Sequence, residues 1–291
     1  MMQAMEKAEV LIEALPYIQK FSESIVVIKF GGSAMEDPAL TAKTMRDIVL
    51  LQAIGMCPVV VHGGGKAITA RLKEFAIETK FINGLRYTCE KTIKVVDDVL
   101  HNVTNRMLVD GIRSAGAKGA QISGKKILRA EKLTTKDKVT GEELDIGFVG
   151  QVISVDIAPI MDAVKYHFIP VIAPLATDFY GQPYNINADM AACDIAKALK
   201  ARKLIFLSDV PGILRNPEDE TSLISSIRTS EVDGLIRDGV LSGGMLPKIR
   251  SSVAALEAGT SEVHMIDGRV PHSLLLEIFT DKGVGTEIIK G

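Results

Sequence analysis

Two stretches, Ser24-Ile-Val-Val-Ile-Lys-Phe-Gly-Gly-Ser33 and Pro58-Val-Val-Val-His-Gly-Gly-Gly65, decide how the chain is read. Each is a β-branched run too apolar to face water on either side, and each ends in adjacent glycines. Such runs predict strands buried on both faces, the pattern of a parallel sheet covered by helices. Helical sequence follows each of them, to about Ile54 in the first case and from near Lys66 in the second.

Working outward, a long helix is expected over about 90–114. The α/β rhythm resumes with helix 156–166, strand 168–172, helix 188–200, strand 204–208, helix 247–258 and strand 262–266. Between the two series, residues 121–155 carry short alternating pieces around a polar stretch at 134–143, which predict β-hairpins forming a lid. The expected fold is α/β, a three-layer αβα arrangement around an open, mainly parallel sheet with that lid. Three segments follow: an N-terminal helix 1–22, an N-lobe 23–180 and a C-lobe 181–291, with a soft boundary between the lobes. In the first segment Met5, Ala8, Ile12 and Leu15 share one helical face, and Pro16 within the pattern predicts a kink or a split. That helix either packs on the body of the protein or reaches another subunit.

Composition limits the class of function. The 291 residues include 34 basic and 36 acidic side chains, a formal charge of −2, so no basic surface is offered to nucleic acid or an anionic membrane. Aromatic residues make up 5% with no Trp, which disfavours stacking of bases. Three widely spaced cysteines without a CxxC pair argue against disulfides and structural zinc and fit a reducing cytoplasm. The charged N-terminus is no signal peptide, and the longest uncharged stretch, 48–65, is interrupted by Gly55, Pro58 and three glycines, so no membrane span is expected.

The chemistry gathers at the glycines. In an open parallel sheet ligands bind at the carboxyl ends of strands, and glycines there let backbone N–H groups approach an anion. Three such loops occur: Gly31-Gly32-Ser33, Gly63-Gly64-Gly65 and Gly243-Gly244. No GxGxxG is present, nor any HExxH or EF-hand pattern. Gly119-Ala-Gln-Ile-Ser-Gly-Lys-Lys126 nearly spells a P-loop, but Lys126 replaces the hydroxyl residue that holds Mg²⁺. The stretch also reads as lying outside a strand-to-helix junction, so the match is taken as accidental. Lys29 stands inside an apolar strand, where a charge is costly unless used. Lys248 falls in the first turn of a helix, where the dipole disfavours a cation unless an anion binds too. Taken alone, either lysine reads as readily as part of an ion pair or a solvated face. With Asn185-Ile-Asn187-Ala-Asp189 and Ser208-Asp-Val-Pro-Gly212 they describe a phosphoryl-transfer site whose positive charge is carried by lysines.

Six motifs in order, Ile28-Lys-Phe-Gly-Gly-Ser33, Val60-Val-His-Gly-Gly-Gly-Lys66, Phe81-Ile-Asn-Gly-Leu-Arg86, Tyr184-Asn-Ile-Asn-Ala-Asp189, Leu207-Ser-Asp-Val-Pro-Gly-Ile-Leu214 and Gly243-Gly-Met-Leu-Pro-Lys248, resemble the amino acid kinase family. Within it the chain is similar to the branch acting on N-acetyl-L-glutamate in arginine biosynthesis. The resemblance implies transfer of the ATP γ-phosphoryl group to the substrate's side-chain carboxylate, with Lys29 and Lys248 as the transition-state lysines and Asp189 holding both. It implies that Gly32, Gly64 and Gly65 supply backbone N–H groups, that Arg86 pairs with the α-carboxylate, and that Asn185 binds the acetylated amide with Asn187 beside it. It assigns the nucleotide to Ser208, Asp209, Gly212, Leu214, Gly243 and Met245, with Mg²⁺ riding on the phosphates and no protein metal cage. Ser208 stands where the family has Thr, and 120–126 is shorter and less glycine-rich than the family hairpin. The C-terminal stretch and the N-terminal helix resemble the arginine-inhibited type, which implies a hexamer built as a trimer of dimers and an arginine site where Glu277 takes the guanidinium near Tyr17 and Lys203. A kinase of N-acetyl-aminoadipate and a non-catalytic arginine sensor on the same fold are the alternatives; a sensor has no need of both lysines and Asp189.

Overall fold

The computed structural model describes residues 2–137, 140–280 and 283–291, side chains of 2–4 and 6–8 excepted. Its centre is an eight-stranded sheet in the order Ser226–Arg228, Thr286–Ile289, Glu262–Asp267, Lys203–Ser208, Ile25–Phe30, Cys57–His62, Phe168–Ala173, Lys118–Ser123. The last six run parallel, and Thr286–Ile289 and Ser226–Arg228 run against them. Ile25–Phe30 is thus hydrogen-bonded on both flanks, by Cys57–His62 from the first half of the chain and Lys203–Ser208 from the second. The strand order reverses direction at that junction, which is where such sheets open a crevice for ligands.

The alternation of side chains in Ile25–Phe30 feeds two cores. Val27 packs with Ala191, Ile195 and Ile249 on one face. Val26, Ile28 and Phe30 pack with Ile48, Leu51 and Ile112 on the other. Helices Ala188–Leu199 and Met245–Glu257 cover the first face; Pro38–Ala53 and Arg106–Ser114 cover the second. This is the three-layer arrangement expected from the apolar strands.

Four points differ from the sequence reading. The hairpin is formed by Leu128–Lys136 and Glu143–Val155, which close a small barrel with Leu175–Thr177 and Pro183–Asn185; positions 138 and 139 of the predicted polar stretch lie outside the described residues. Residues 118–123 belong instead to the main sheet as its edge strand, followed by a single helical turn, Gly124–Ile127. The P-loop-like stretch therefore does sit at a strand-to-helix junction, but Lys125 Nζ is spent on Asp97 at 2.6 Å. The helix expected over 90–114 is helical throughout but widens into a π-helical segment at Val99–Asn105. Finally, Met2–Phe21 is one helix that Pro16 does not split. It shows Met5, Leu11 and Ile12 to solvent. No helix among the described residues is long and apolar enough to cross a membrane.

Candidate active site

At the sheet junction Lys29 is the penultimate residue of strand Ile25–Phe30, opposite Phe206 in register. Asp189 lies in the first turn of Ala188–Leu199, whose start is fixed by Asn187: its side-chain oxygen accepts from the N–H groups of Asp189 and Met190. Lys248 comes from the first turns of Met245–Glu257 and lies over the Phe206 ring, 5.3 Å from its centre. The three meet. Asp189 Oδ1 is 2.9 Å from Lys29 Nζ and Oδ2 is 3.1 Å from Lys248 Nζ. Burial opposes the charge on Asp189, but the two ammonium groups outweigh it and hold its carboxyl below the usual carboxylate value. One carboxylate between two ammonium groups leaves a surplus positive charge at the strand ends.

Beside this bridge opens a cavity of about 570 Å³ lined by Lys29, Gly32, Gly64, Gly65, Arg86, Asn185 and Asn187. All six expected substrate residues are therefore brought to one place. The glycine loops touch, with Gly63 N–H donating to the Phe30 carbonyl at 2.8 Å. Gly32 adopts φ 73°, and a Cβ there would lie 2.4 Å from Asp209 Oδ1. Asp209 braces this loop, accepting from the Ser33 N–H and hydroxyl at 2.9 Å each. A Cβ on Gly64 would lie 2.6 Å from the Leu100 side chain of the π-helical segment, which would have to shift to admit a larger residue.

Arg86 is 7% exposed, stacked on Phe81 with its guanidinium 4.7 Å from the ring centre. Its Nη2 donates to the Gly65 carbonyl and to Thr69 Oγ1, both at 2.9 Å. Its Nη1 is buried without a partner, and burial pushes the guanidinium pKa down. A buried guanidinium edge left unpaired beside a cavity suits a carboxylate ligand. Asn185 is placed at the cavity by pairing with Val149 of the barrel, its amide donating to Thr88 Oγ1 at 3.3 Å.

The residues expected at the nucleotide do not line this cavity. Ser208 and Asp209 end the Lys203–Ser208 strand, Gly212 and Leu214 follow in the loop that bridges to Leu223, and Gly243 and Met245 lead into the helix bearing Lys248. Sequence reasoning missed Thr69, Phe81, Val103 and Met107, which also line the cavity. Thr69 was legible: four residues after Gly65 in a helix, its hydroxyl falls on the Gly65 carbonyl, at 2.9 Å.

A second cavity, about 510 Å³, lies between the N-terminal helix and the C-terminal half and brings Tyr17, Lys203 and Glu277 together with Glu262, His264 and Glu287. Glu277 is not a solvent-facing helix residue; it is 7% exposed. Its Oε1 is 2.6 Å from His264 Nδ1, and its Oε2 accepts from the N–H groups of Val284 and Gly285 at 2.7 and 3.2 Å. Lys203 is equally buried, contacting Glu262 and lying 2.9 Å from His264 Nε2. Burial would raise the Glu262 pKa, but bonds from His264, Lys203 and Arg202 bring it down to about 2. Glu287 stands opposite His264 in the antiparallel pair, with its carboxylate close to those of Glu262 and His264's ring.

The family model described as the amino acid kinase family matches residues 24–267. An acetylglutamate kinase from Akkermansia muciniphila is 48% identical over 286 residues, 98% of this chain and 96% of that protein. Among solved structures, N-acetylglutamate synthase from Neisseria gonorrhoeae complexed with coenzyme A and N-acetyl-glutamate superposes with a TM-score of 0.84 at 25% identity, covering 98% of this chain. The same synthase complexed with coenzyme A and L-arginine gives 0.79, also at 25% identity and covering 98% of this chain. The chain spans 63% and 65% of those synthase chains.

Proposed function

The chain belongs to the amino acid kinase family and is an ATP-dependent kinase of N-acetyl-L-glutamate in arginine biosynthesis; we propose that Lys29 and Lys248 close on the transferred phosphoryl group from either side. The observation that carries this is the Asp189 bridge, which holds two ammonium groups within reach of one anion. A side-chain carboxylate oxygen attacks the γ-phosphorus, the bond to the β–γ bridging oxygen breaks, and ADP leaves with the electron pair. Nucleophile and leaving group are both already anions, so no proton moves and no general base is needed. The remaining task is to hold two anions in line and balance the charge spread over the transferred group.

In this reading the unpartnered Nη1 of Arg86 takes the α-carboxylate, and Asn185 takes the acetylated amide. Asn187 has its oxygen committed to the helix cap, which leaves its NH₂ to face the substrate. The N–H groups of Gly32, Gly64 and Gly65 meet the phosphoryl oxygens. Most substrate contacts come from 23–180, while 181–291 supplies the nucleotide side through Ser208, Asp209, Gly212, Leu214, Gly243 and Met245. The carboxylates here do not suit a protein-held Mg²⁺. Asp189 gives each oxygen to a lysine and Asp209 gives Oδ1 to Ser33. The metal would then be carried by the nucleotide.

The acid-rich second cavity suits an arginine inhibitor, a reading supported by the structural neighbour N-acetylglutamate synthase being complexed with L-arginine. Because Glu277 is fully engaged and Glu262 is held by Lys203, Arg202 and His264, Glu287 is the better partner for the guanidinium. The exposed apolar residues of Met2–Phe21 would join dimers into a hexamer as a trimer of dimers. Three free cysteines fit work in the cytoplasm. A coupled ADP-release assay tests the reading: ADP formation must depend on N-acetylglutamate, exceed that with N-acetyl-aminoadipate, and fall with arginine. Removing residues 1–22 should leave dimers that arginine no longer inhibits.

A further inference from the structure

Two fully buried polar residues outside the reacting groups, His62 and Asn105, converge on the second glycine loop. Asn105 ends the π-helical segment, and its NH₂ group lies 2.8 Å from the Val171 carbonyl and 3.1 Å from His62 Nε2. A carbonyl can only accept, so the atom facing Val171 must be the amide nitrogen, and His62 Nε2 must then be the acceptor of its second hydrogen. The proton of the imidazole is thereby placed on Nδ1, which donates to the Gly63 carbonyl at 2.8 Å. Burial, helped by His101 nearby, pushes the His62 pKa down to about 4 against the Gly63 bond, so the ring is neutral at working pH.

We propose that Asn105 and His62 are positioning residues that aim the Gly64 N–H at the transferred phosphoryl group. The peptide between Gly63 and Gly64 is trans, so its N–H points opposite to its C=O. Fixing that carbonyl on His62 turns the Gly64 N–H away from the core, and Gly64 lines the cavity. The Gly63 N–H is already committed to Phe30, so the first backbone donor the loop can offer is that of Gly64. Helix Gly65–Glu74 follows at once, and its first N–H groups have no intrahelical acceptor. Asn105 Oδ1 is buried without a partner, a cost the fold carries while using both hydrogens of the amide. The π-helical segment matters because it delivers Asn105 beneath the loop and also sets Leu100 against Gly64.

This inference rests on the kinase reading, and its test separates the two. Absence of N-acetylglutamate-dependent ADP release in the unaltered protein would remove the reading itself. With that activity present, Asn105→Leu and His62→Leu should each lower kcat roughly 10- to 100-fold, as loss of an aimed donor does, with KM for N-acetylglutamate within about threefold. His62→Gln, which can donate to Gly63 and accept from Asn105, should recover most of kcat. Variants that merely melt earlier while keeping kcat, or a His62→Gln no better than His62→Leu, would overturn the proposal. A measurement on the unaltered protein needs no variant: ¹⁵N spectra of labelled histidine should show His62 neutral with its proton on Nδ1 at pH 7. A proton on Nε2 would equally overturn it.

Discussion

Among the described residues, two cavities are lined by lysine with glutamate or arginine, and they carry opposite surpluses. The first is lined by Lys29, Lys66 and Arg86 against Glu36 alone. The second is lined by Lys20 and Lys203 against Glu262, Glu277 and Glu287. In the first, one carboxylate is divided between two ammonium groups; in the second, the buried Lys203 ammonium is surrounded by acids and the His264 imidazole. In the proposed reading the same residue types thus serve an anion at the sheet's carboxyl ends and a cation in the second cavity. What separates them is stoichiometry, since a one-to-one pair would cancel and attract neither ligand.

The largest effect expected from disturbing this contrast is at the bridge. Lys29→Ala or Lys248→Ala should lower kcat by about 10²–10³, measured as ADP release. Arginine at either position should restore little, because its planar fork cannot replace a compact ammonium shared across Asp189. Second in size is the response to acid, where the two regions part. Folded His62 resists its proton until about pH 4 while the unfolded chain binds it at 6.5. The unfolded state therefore gains protons first, and stability falls as pH drops from 6.5 to 4, by about 3 kcal/mol at most. Glu262, lowered from 4.5 to about 2, acts over a different window: its contribution is complete above 4.5 and is lost as pH falls towards 2. Melting temperatures across pH 2–7, with His62→Gln as comparison, should flatten above pH 4 in the variant and keep the lower limb.

Next, Arg86→Gln should raise KM for N-acetylglutamate by roughly 10- to 100-fold, the worth of a charge-assisted hydrogen bond, while kcat moves much less. Equal losses in both would place Arg86 on the phosphoryl group instead. The smallest effect belongs to the second cavity: Glu287→Gln should raise the arginine concentration for half-inhibition about tenfold, read from inhibition curves. An unchanged curve would return the guanidinium to Glu277.

The first cavity was legible because its signals are local. A lysine inside Ile25–Phe30 and paired glycines at two strand ends announce themselves within ten residues. The second was only partly so, since Glu287 meets His264 through antiparallel pairing of Thr286–Ile289 with Glu262–Asp267, a register no short motif carries. Lys118–Ser123 was hidden by Gly119, a poor strand former that is nonetheless used there because a Cβ would lie 3.2 Å from Val109 of the covering helix. The π-helical segment left no mark in the 3.6-residue pattern, because one widened stretch shifts the register without changing which residues are apolar. Of the kink or split that Pro16 pointed to, Met2–Phe21 shows no split.

The two lysines of the bridge do not share one kind of footing. Lys29 grows from a strand that cannot shift without tearing hydrogen-bond ladders on both flanks. Lys248 rides near the start of a helix held to the sheet by side-chain packing, with Ile249 and Ala255 in the core. Asp189 is therefore a tether between an anvil and a hammer: in the proposed reading, any adjustment of the bridge falls more easily to the Lys248 side, and the position of Lys29 sets the fixed point.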